Sequence, residues 1–143
     1  MKQTIKIKDA QNMMTGLQAI NKHFPVKMNY AIVRNLKNLA VECKTAEEQR
    51  NKIIQDNVLK DEKGNAVTKD GSYEFKDSET QARVIKEIND IGEVDIEIEV
   101  MMLPMSILEQ CDSDSFDSVS SRDMEALEFM IEDTHWQHHY FYL

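Results

Sequence analysis

Three histidines are the residues of this sequence whose spacing comes nearest to that of a metal site. His135, His138 and His139 stand three and four residues apart, so that on a helix two imidazoles would share one side. A zinc site needs three or four ligands, and neither a Cys-x-x-Cys pair nor an HExxH motif accompanies these histidines. We therefore expect no metal site here.

The same segment carries four aromatic side chains of the kind that anchor protein interfaces: Trp136, Tyr140, Phe141 and Tyr142. Two interpretations stay open for residues 134–143. The segment either packs on a partner or a neighbouring subunit, or forms a disordered end of the chain. We include the four aromatic residues among the candidate partner-binding residues.

Three aspartates, Asp112, Asp114 and Asp117, superficially follow the spacing of a calcium-binding loop. Phe116 occupies a ligand position of that loop, and Asp117 stands where the sharp turn requires glycine. Calcium binding by this route is therefore not expected. The alternative is an acidic surface loop, and these aspartates are candidate partner-binding residues.

The remaining nucleophiles and acids do not form a recognisable catalytic motif. Cys43 falls on an apolar helix stripe, where a thiol is usually buried and inert, and Cys111 stands beside acids that raise its pKa. Glu97 and Glu99 have the spacing of a general acid and base on one strand face, but a solvated or lysine-paired face explains them more simply. The sequence thus predicts a protein that is not an enzyme and needs no cofactor.

The strongest local pattern is the alternation of apolar and acidic residues from Val94 to Met102. It predicts a strand with Asp95, Glu97 and Glu99 on one face, which are candidate partner-binding residues. A second alternating segment, Thr4 to Lys8, predicts an N-terminal strand. We expect the two strands to pair, with Lys6 and Lys8 opposite the acids.

Helical periodicity dominates the rest of the chain. Asp9 is expected to cap a short helix that ends at Asn21. A long helix should follow from Val26 to Leu59, and Ser78, with Gln81 three residues on, should cap a helix that ends at Gly92. The long helix has this apolar stripe: Met28, Ile32, Val33, Leu36, Leu39, Ala40, Cys43, Ala46, Ile53, Ile54 and Val58.

These elements predict an α+β fold, mainly α. Residues 26–92 should form a long, projecting antiparallel helical hairpin with a small β-hairpin at its tip, since Asp70-Gly71 lies between β-prone runs. A short sheet should pair the N-terminal strand with residues 94–102, and Ser120 or Ser121 should start a last helix whose inward side chains extend to Ile131. We expect one domain, 1–133, followed by a tail, 134–143.

Charge is distributed unevenly along the chain. The net charge is −9; residues 1–92 hold 16 Lys and Arg against 13 acids, whereas residues 93–143 hold one against 13. This balance disfavours general nucleic-acid binding, which depends on neutralising phosphates. Two interpretations remain: acidity for solubility, or docking on a partner with a basic surface.

The expected cellular location depends on whether the sequence contains a membrane span, a secretion signal or a disulfide framework. No run approaches the roughly 18 apolar residues of a membrane span. The first eight residues alternate charged and apolar groups, unlike a secretion signal. Cys43 and Cys111 fit reduced thiols better than a disulfide framework. We expect a cytoplasmic protein without a membrane contact.

With these elements in place, the sequence resembles an uncharacterised family of small proteins from phages and prophages. The matching stretches are 24–30 running into 34–39, 60–65, 93–100 and 124–132. The resemblance covers roughly residues 5–133 in order, and the tail gains no support from it. It implies a phage origin and an accessory role, and it carries over no catalytic residue.

Three functions follow as hypotheses. The first is a phage-encoded, non-enzymatic binding protein that inhibits or sequesters a host factor, a component of antiphage defence, in the cytoplasm of the infected bacterium. The second is a virion or assembly component that forms homo-oligomers through the helical hairpin. The third is a sponge for a small nucleotide signal.

Overall fold

A computed structural model of the protein describes residues 1–132, and within that range the chain is mainly helical with small two-stranded sheets, as predicted. The elements, in chain order, are β1 (Lys2–Lys6), α1 (Ile7–Gln18), α2 (Val26–Asn57), β2 (Thr68–Lys69), β3 (Ser72–Tyr73), α3 (Ser78–Gly92), β4 (Asp95–Glu99), β5 (Leu103–Pro104), α4 (Ile107–Gln110), α5 (Ser121–Leu127), a 3-10 turn (Glu128–Met130) and β6 (Ile131–Glu132).

The predicted pairing of the N-terminal strand with the acidic strand is confirmed. β1 and β4 are antiparallel, and their register runs from Lys2 opposite Glu99 to Lys6 opposite Asp95. The N-terminal strand lies two residues earlier than predicted, because α1 already begins at Ile7. β4 covers only Asp95–Glu99 of the predicted strand 94–102. Ile7 is buried, and its N–H donates to the carbonyl of Val94, 3.0 Å away.

The predicted cap of the first helix is wrong. Lys6, in extended conformation, occupies the N-cap position of α1 and forms no side-chain cap hydrogen bond. Asp9 lies instead in the first helical turn, where its carboxylate favours the positive end of the helix dipole. The helix ends at Gln18 rather than Asn21. Pairing with β4 therefore decides where α1 begins.

The two long helices form the predicted antiparallel hairpin. Arg83, near the start of α3, donates to the side-chain amide oxygen of Asn57 at the end of α2. At the opposite end of the hairpin, residues 46–50 of α2 and 88–92 of α3 line a common cleft. α3 begins one residue earlier than predicted, because Asp77 provides the cap and accepts from the N–H of Thr80 at 2.7 Å.

A β-hairpin closes the far end of the helical pair, as the Asp-Gly signal predicted. Asp70 and Gly71 both have positive φ, 53° and 81°, which is the conformation of a type I′ turn. Leu59, Val67 and Glu74 are joined in a ring, in which the N–H of each donates to the carbonyl of another. α2 ends at Asn57 rather than Leu59 because Val58 is extended and bridges to Phe75.

The last helix starts as predicted but ends sooner. Ser120 and Asp123 form a reciprocal capping box at the start of α5. α5 ends at Leu127, and the chain then passes through a 3-10 turn into β6. β6 pairs in parallel with β5, Leu103 opposite Ile131. Ile131 is therefore buried from a strand rather than from the predicted helix.

The core lies where α1 and α2 meet β4 and the C-terminal elements. Its largest fully buried apolar side chains are Phe24, Leu17, Met28, Leu39, Leu127 and Met130. One polar side chain, Asn35 of α2, lies among them at 1% exposure. Its amide donates to the carbonyl of Met101 at 3.0 Å and accepts from the N–H of Met101 at 2.7 Å. The long helix is thus joined to the backbone between β4 and β5.

Replacing Asn35 with Ala should lower the free energy of unfolding by about 2–4 kcal/mol, because both backbone groups of Met101 would lose their partner. Asn38→Ala is the matched control, because Asn38 donates a single, exposed hydrogen bond to Glu99, and it should cost less than about 1 kcal/mol. Urea unfolding measures both. Equal losses of unfolding free energy in the two variants would show that the hydrogen bonds of Asn35 stabilise the fold no more than the exposed one of Asn38.

Candidate functional site

The acidic side chains of β4 share the solvent face of the β1–β4 sheet. Asp95, Glu97 and Glu99 are exposed, whereas Ile98 of the same strand is buried. The side chains of Glu97 and Glu99 are 61% and 62% exposed. Alternation along the strand thus places three carboxylates on one surface, which we call the acidic face.

Three cations flank this face, namely Lys6, which lies opposite Asp95 in the register, Lys2 and the amino group of Met1. Lys2 lies opposite Glu99 in the register, and its ammonium group is 3.4 Å from the carboxylate of Glu97. The amino group of Met1 lies 3.0 Å from the carboxylate of Glu99. Both pairs are largely solvent-exposed, so each contributes little to stability and leaves the carboxylates accessible.

Lys6 lies opposite Asp95 in the register, as predicted, whereas Lys8 lies outside the strand, so its predicted pairing with the strand acids is wrong. Both lysines bind Glu93, which precedes β4: the Nζ of Lys6 is 2.8 Å from one carboxylate oxygen, and the Nζ of Lys8 is 2.6 Å from the other. Lys8 belongs to α1 and so cannot continue the strand. The ammonium groups of Lys6 and Lys8 therefore form ion pairs with Glu93 at the junction of α1, α3 and β4.

This junction changes the titration of its carboxylate. Hydrogen bonds from Lys6 and Lys8 lower the pKa of Glu93 to about 2. The hydrogen bond to Glu93, in turn, raises the pKa of Lys6. The pKa of Glu93 falls and that of Lys6 rises for the same reason: each partner's charge favours the ionised state of the other.

The loop aspartates lie against a different part of the fold. Asp112 and Asp114 are exposed, but Asp117 forms a structural link to the connection between α1 and α2. Its carboxylate accepts from the N–H of His23 at 2.6 Å, and its own N–H donates to the carbonyl of His23 at 2.8 Å. Asp117 is thus exposed like Asp112 and Asp114, but its carboxylate also holds the loop against His23.

Both cysteines are buried thiols. Cys43 lies on the buried face of α2, as predicted, and Cys111 follows α4 with its thiol 3.7 Å from the sulfur of Met28. Burial raises the pKa of both thiols, and the neighbouring Asp112 adds to the effect at Cys111. A raised pKa lowers the thiolate fraction, so neither thiol is activated. Across residues 1–132, no group of three or more metal-ligating side chains could hold an ion.

A cleft of about 530 Å³ lies where the hairpin meets α1, between α2 and α3. Its cations are Lys8 and Arg50, each of which is within ion-pair distance of a carboxylate, Glu93 and Glu47 respectively. A phosphate-bearing ligand would have to displace these acids. The cleft is therefore a weaker candidate for a nucleotide-binding site than the presence of a lysine and an arginine suggests.

Sequence reasoning missed an exposed apolar stripe on α2. Val26, Tyr30 and Val33 are 83%, 57% and 50% exposed, although Val33 was assigned to the buried stripe. Their spacing of four and three residues puts them on one face of the helix. Apolar residues occur at helical spacing on the exposed and the buried faces of α2, so spacing alone gave no signal that separates them.

The aromatic candidates Trp136, Tyr140, Phe141 and Tyr142 lie outside the described residues, as do the three tail histidines. No family model, curated protein or solved structure matches this chain. In residues 1–132, the helices are all too short or too polar to cross a membrane.

The titration of Glu93 provides a direct test of the junction. A carboxyl whose pKa is depressed contributes stability that is fully present above its ordinary pKa of 4.5 and is lost as the pH falls through about 2. NMR titration should therefore place the midpoint of Glu93 near pH 2 in the wild type. In Lys6→Met/Lys8→Met it should return toward 4.5.

Lys2→Met serves as the control for that titration, because it removes a lysine from the same sheet without a contact to Glu93. The Glu93 midpoint should not move in this variant. A wild-type midpoint near 4.5 would show that the two lysines do not bind Glu93 in solution.

Proposed function

We propose that this chain is a phage-encoded, non-enzymatic binding protein that inhibits or sequesters a host protein, a component of antiphage defence, in the cytoplasm of the infected bacterium. The acidic face is the observation that supports the binding role. The phage origin and the host target rest on the family resemblance of residues 5–133.

The geometry of the acidic face suits a partner with a basic surface. Three carboxylates repeat at every second residue of β4, so they follow one another about 7 Å apart along the strand. Lys6 and Lys8 bind Glu93, and the pairs that Lys2 and the amino group of Met1 form with Glu97 and Glu99 are solvent-exposed, so the carboxylates stay accessible. A row of exposed carboxylates steers a basic surface into contact and repels acidic ones.

A binding role also fits the way in which the charged groups are used. Glu93 is held by two lysines, and the buried Asp123 binds Lys22 at 2.6 Å while it caps α5. These groups hold elements together rather than converge on a space where a substrate could react. The carboxylates of the acidic face, by contrast, lie on the outer surface of the sheet, where they are exposed.

Neutralising the acidic face should weaken capture of the host partner. With Asp95→Asn, Glu97→Gln and Glu99→Gln combined, association should slow by at least about tenfold at low salt, because electrostatic steering is lost. Affinity capture from lysate of the bacterial host identifies the partner. Surface plasmon resonance at two ionic strengths then measures the rate with the purified partner.

The matched control removes the same number of charges from the helical hairpin, through Glu48→Gln, Asp56→Asn and Glu62→Gln, all exposed in the structure. Its association rate should stay near that of the wild type. Equal losses in both triple variants would show that net charge, rather than the acidic face, governs binding. Failure to capture a host protein, with the chain found in purified virions, would overturn the proposal.

A second candidate function, a virion or assembly component, is favoured by apolar side chains exposed on the helical hairpin and its tip. Leu59, Tyr73 and Ile85 are each between 42% and 52% exposed. This function requires homo-oligomers in solution and the chain in virions. Light scattering that gives a monomer mass, together with its absence from virions by mass spectrometry, would exclude it.

A further inference from the structure

A groove runs between α2 and the backbone that leaves β4. It has a volume of about 540 Å³, and its lining includes Tyr30 and Arg34 on the helix side and Met101 and Met102 on the other. Glu132, the last described residue, also lines it. The described part of the chain therefore ends at this groove.

The groove opens onto the exposed stripe of α2. Tyr30 belongs to both, and Val26 and Val33 lie one helical turn to either side of it. Met101 adds an exposed thioether on the opposite wall. Within residues 1–132, these apolar side chains face solvent, and the helix that bears them carries no acid before Glu42.

The segment that follows Glu132 has the composition that such a surface binds. Trp136 stands four residues beyond Glu132, and Tyr140, Phe141 and Tyr142 follow. Four residues of extended chain reach up to about 14 Å, whereas adjacent turns of a helix are only about 5 Å apart. Because Glu132 and Tyr30 line the same groove, a chain of this length is long enough to bring Trp136 to Tyr30.

We propose that this groove and stripe are the docking site for residues 133–143 of the same chain. The groove supplies three kinds of contact for aromatic side chains. Tyr30 offers ring packing, the thioethers of Met101 and Met102 offer sulfur–aromatic contacts, and the guanidinium of Arg34 offers a cation above a ring. Because the occupant belongs to the chain itself, the inference does not depend on the proposed host partner.

Trp136 is the single tryptophan of the chain, so its fluorescence reports on docking without a label. In dilute wild-type protein the emission should be blue-shifted relative to the synthetic peptide 133–143, and acrylamide should quench it less. Tyr30→Ala/Val33→Ala should move both readouts toward the peptide, because each lost contact lowers the docking equilibrium by about three- to tenfold.

Leu59→Ala/Ile85→Ala is the matched control, because it removes two exposed apolar side chains from the other end of the molecule. Its emission and quenching should equal those of the wild type. Circular dichroism verifies that both double variants keep the helical content, which is expected because the substituted side chains are exposed.

Three results would overturn the proposal. Wild-type emission and quenching equal to those of the free peptide would show that the segment does not dock. An unchanged blue shift in Tyr30→Ala/Val33→Ala would place the segment on another surface. A blue shift that grows with protein concentration, alongside a dimer mass by light scattering, would assign the groove to the segment of a second copy.

Discussion

The two hydrogen bonds between the amide of Asn35 and the backbone of Met101 are the constraint on which the rest of the structure depends. They join the N-terminal third of the longest helix to the connection between β4 and β5 through a side chain that is itself buried. The same amide lies 3.5 Å from the sulfur of Met130, in the C-terminal turn. A buried amide is tolerated only when it is paired, so this contact permits one register of helix against strand.

That register determines the two surfaces of functional interest. With α2 held at Met101, the acidic residues of β4 point to solvent, and Tyr30 and Arg34 border a groove whose lining also includes Glu99. Glu93 completes the arrangement, because it binds Lys6 and Lys8 and so ties α1 to the start of β4. Of the strand carboxylates, Glu97 and Glu99 have exposed ion-pair partners, Lys2 and the amino group of Met1.

Much of the fold was predictable because its signals are local. Alternation over residues 94–100 identified β4, and the Asp-Gly pair identified the type I′ hairpin, since each depends only on neighbouring residues. Helix caps were harder to predict. Asp77 and Ser78 are both good cap residues, and in the structure Asp77 is the one that caps α3. Of the candidate site, the acidic face was predicted, but the part played by Asp117 was not, because its partner His23 is 94 residues away.

By itself, the sequence determined the composition of each element: the amphipathic helices, the acidic strand, the turns and the aromatic segment, all of which follow from residue type and period. Only the tertiary structure decided which partner each group found. Lys6 and Lys8 could have served any nearby carboxylate, and Val33 could have faced inward. The partner of the two lysines depends on where α1 begins, and the exposure of Val33 depends on how α2 is rotated about its axis. Long-range contacts set these positions, and no local pattern encodes them.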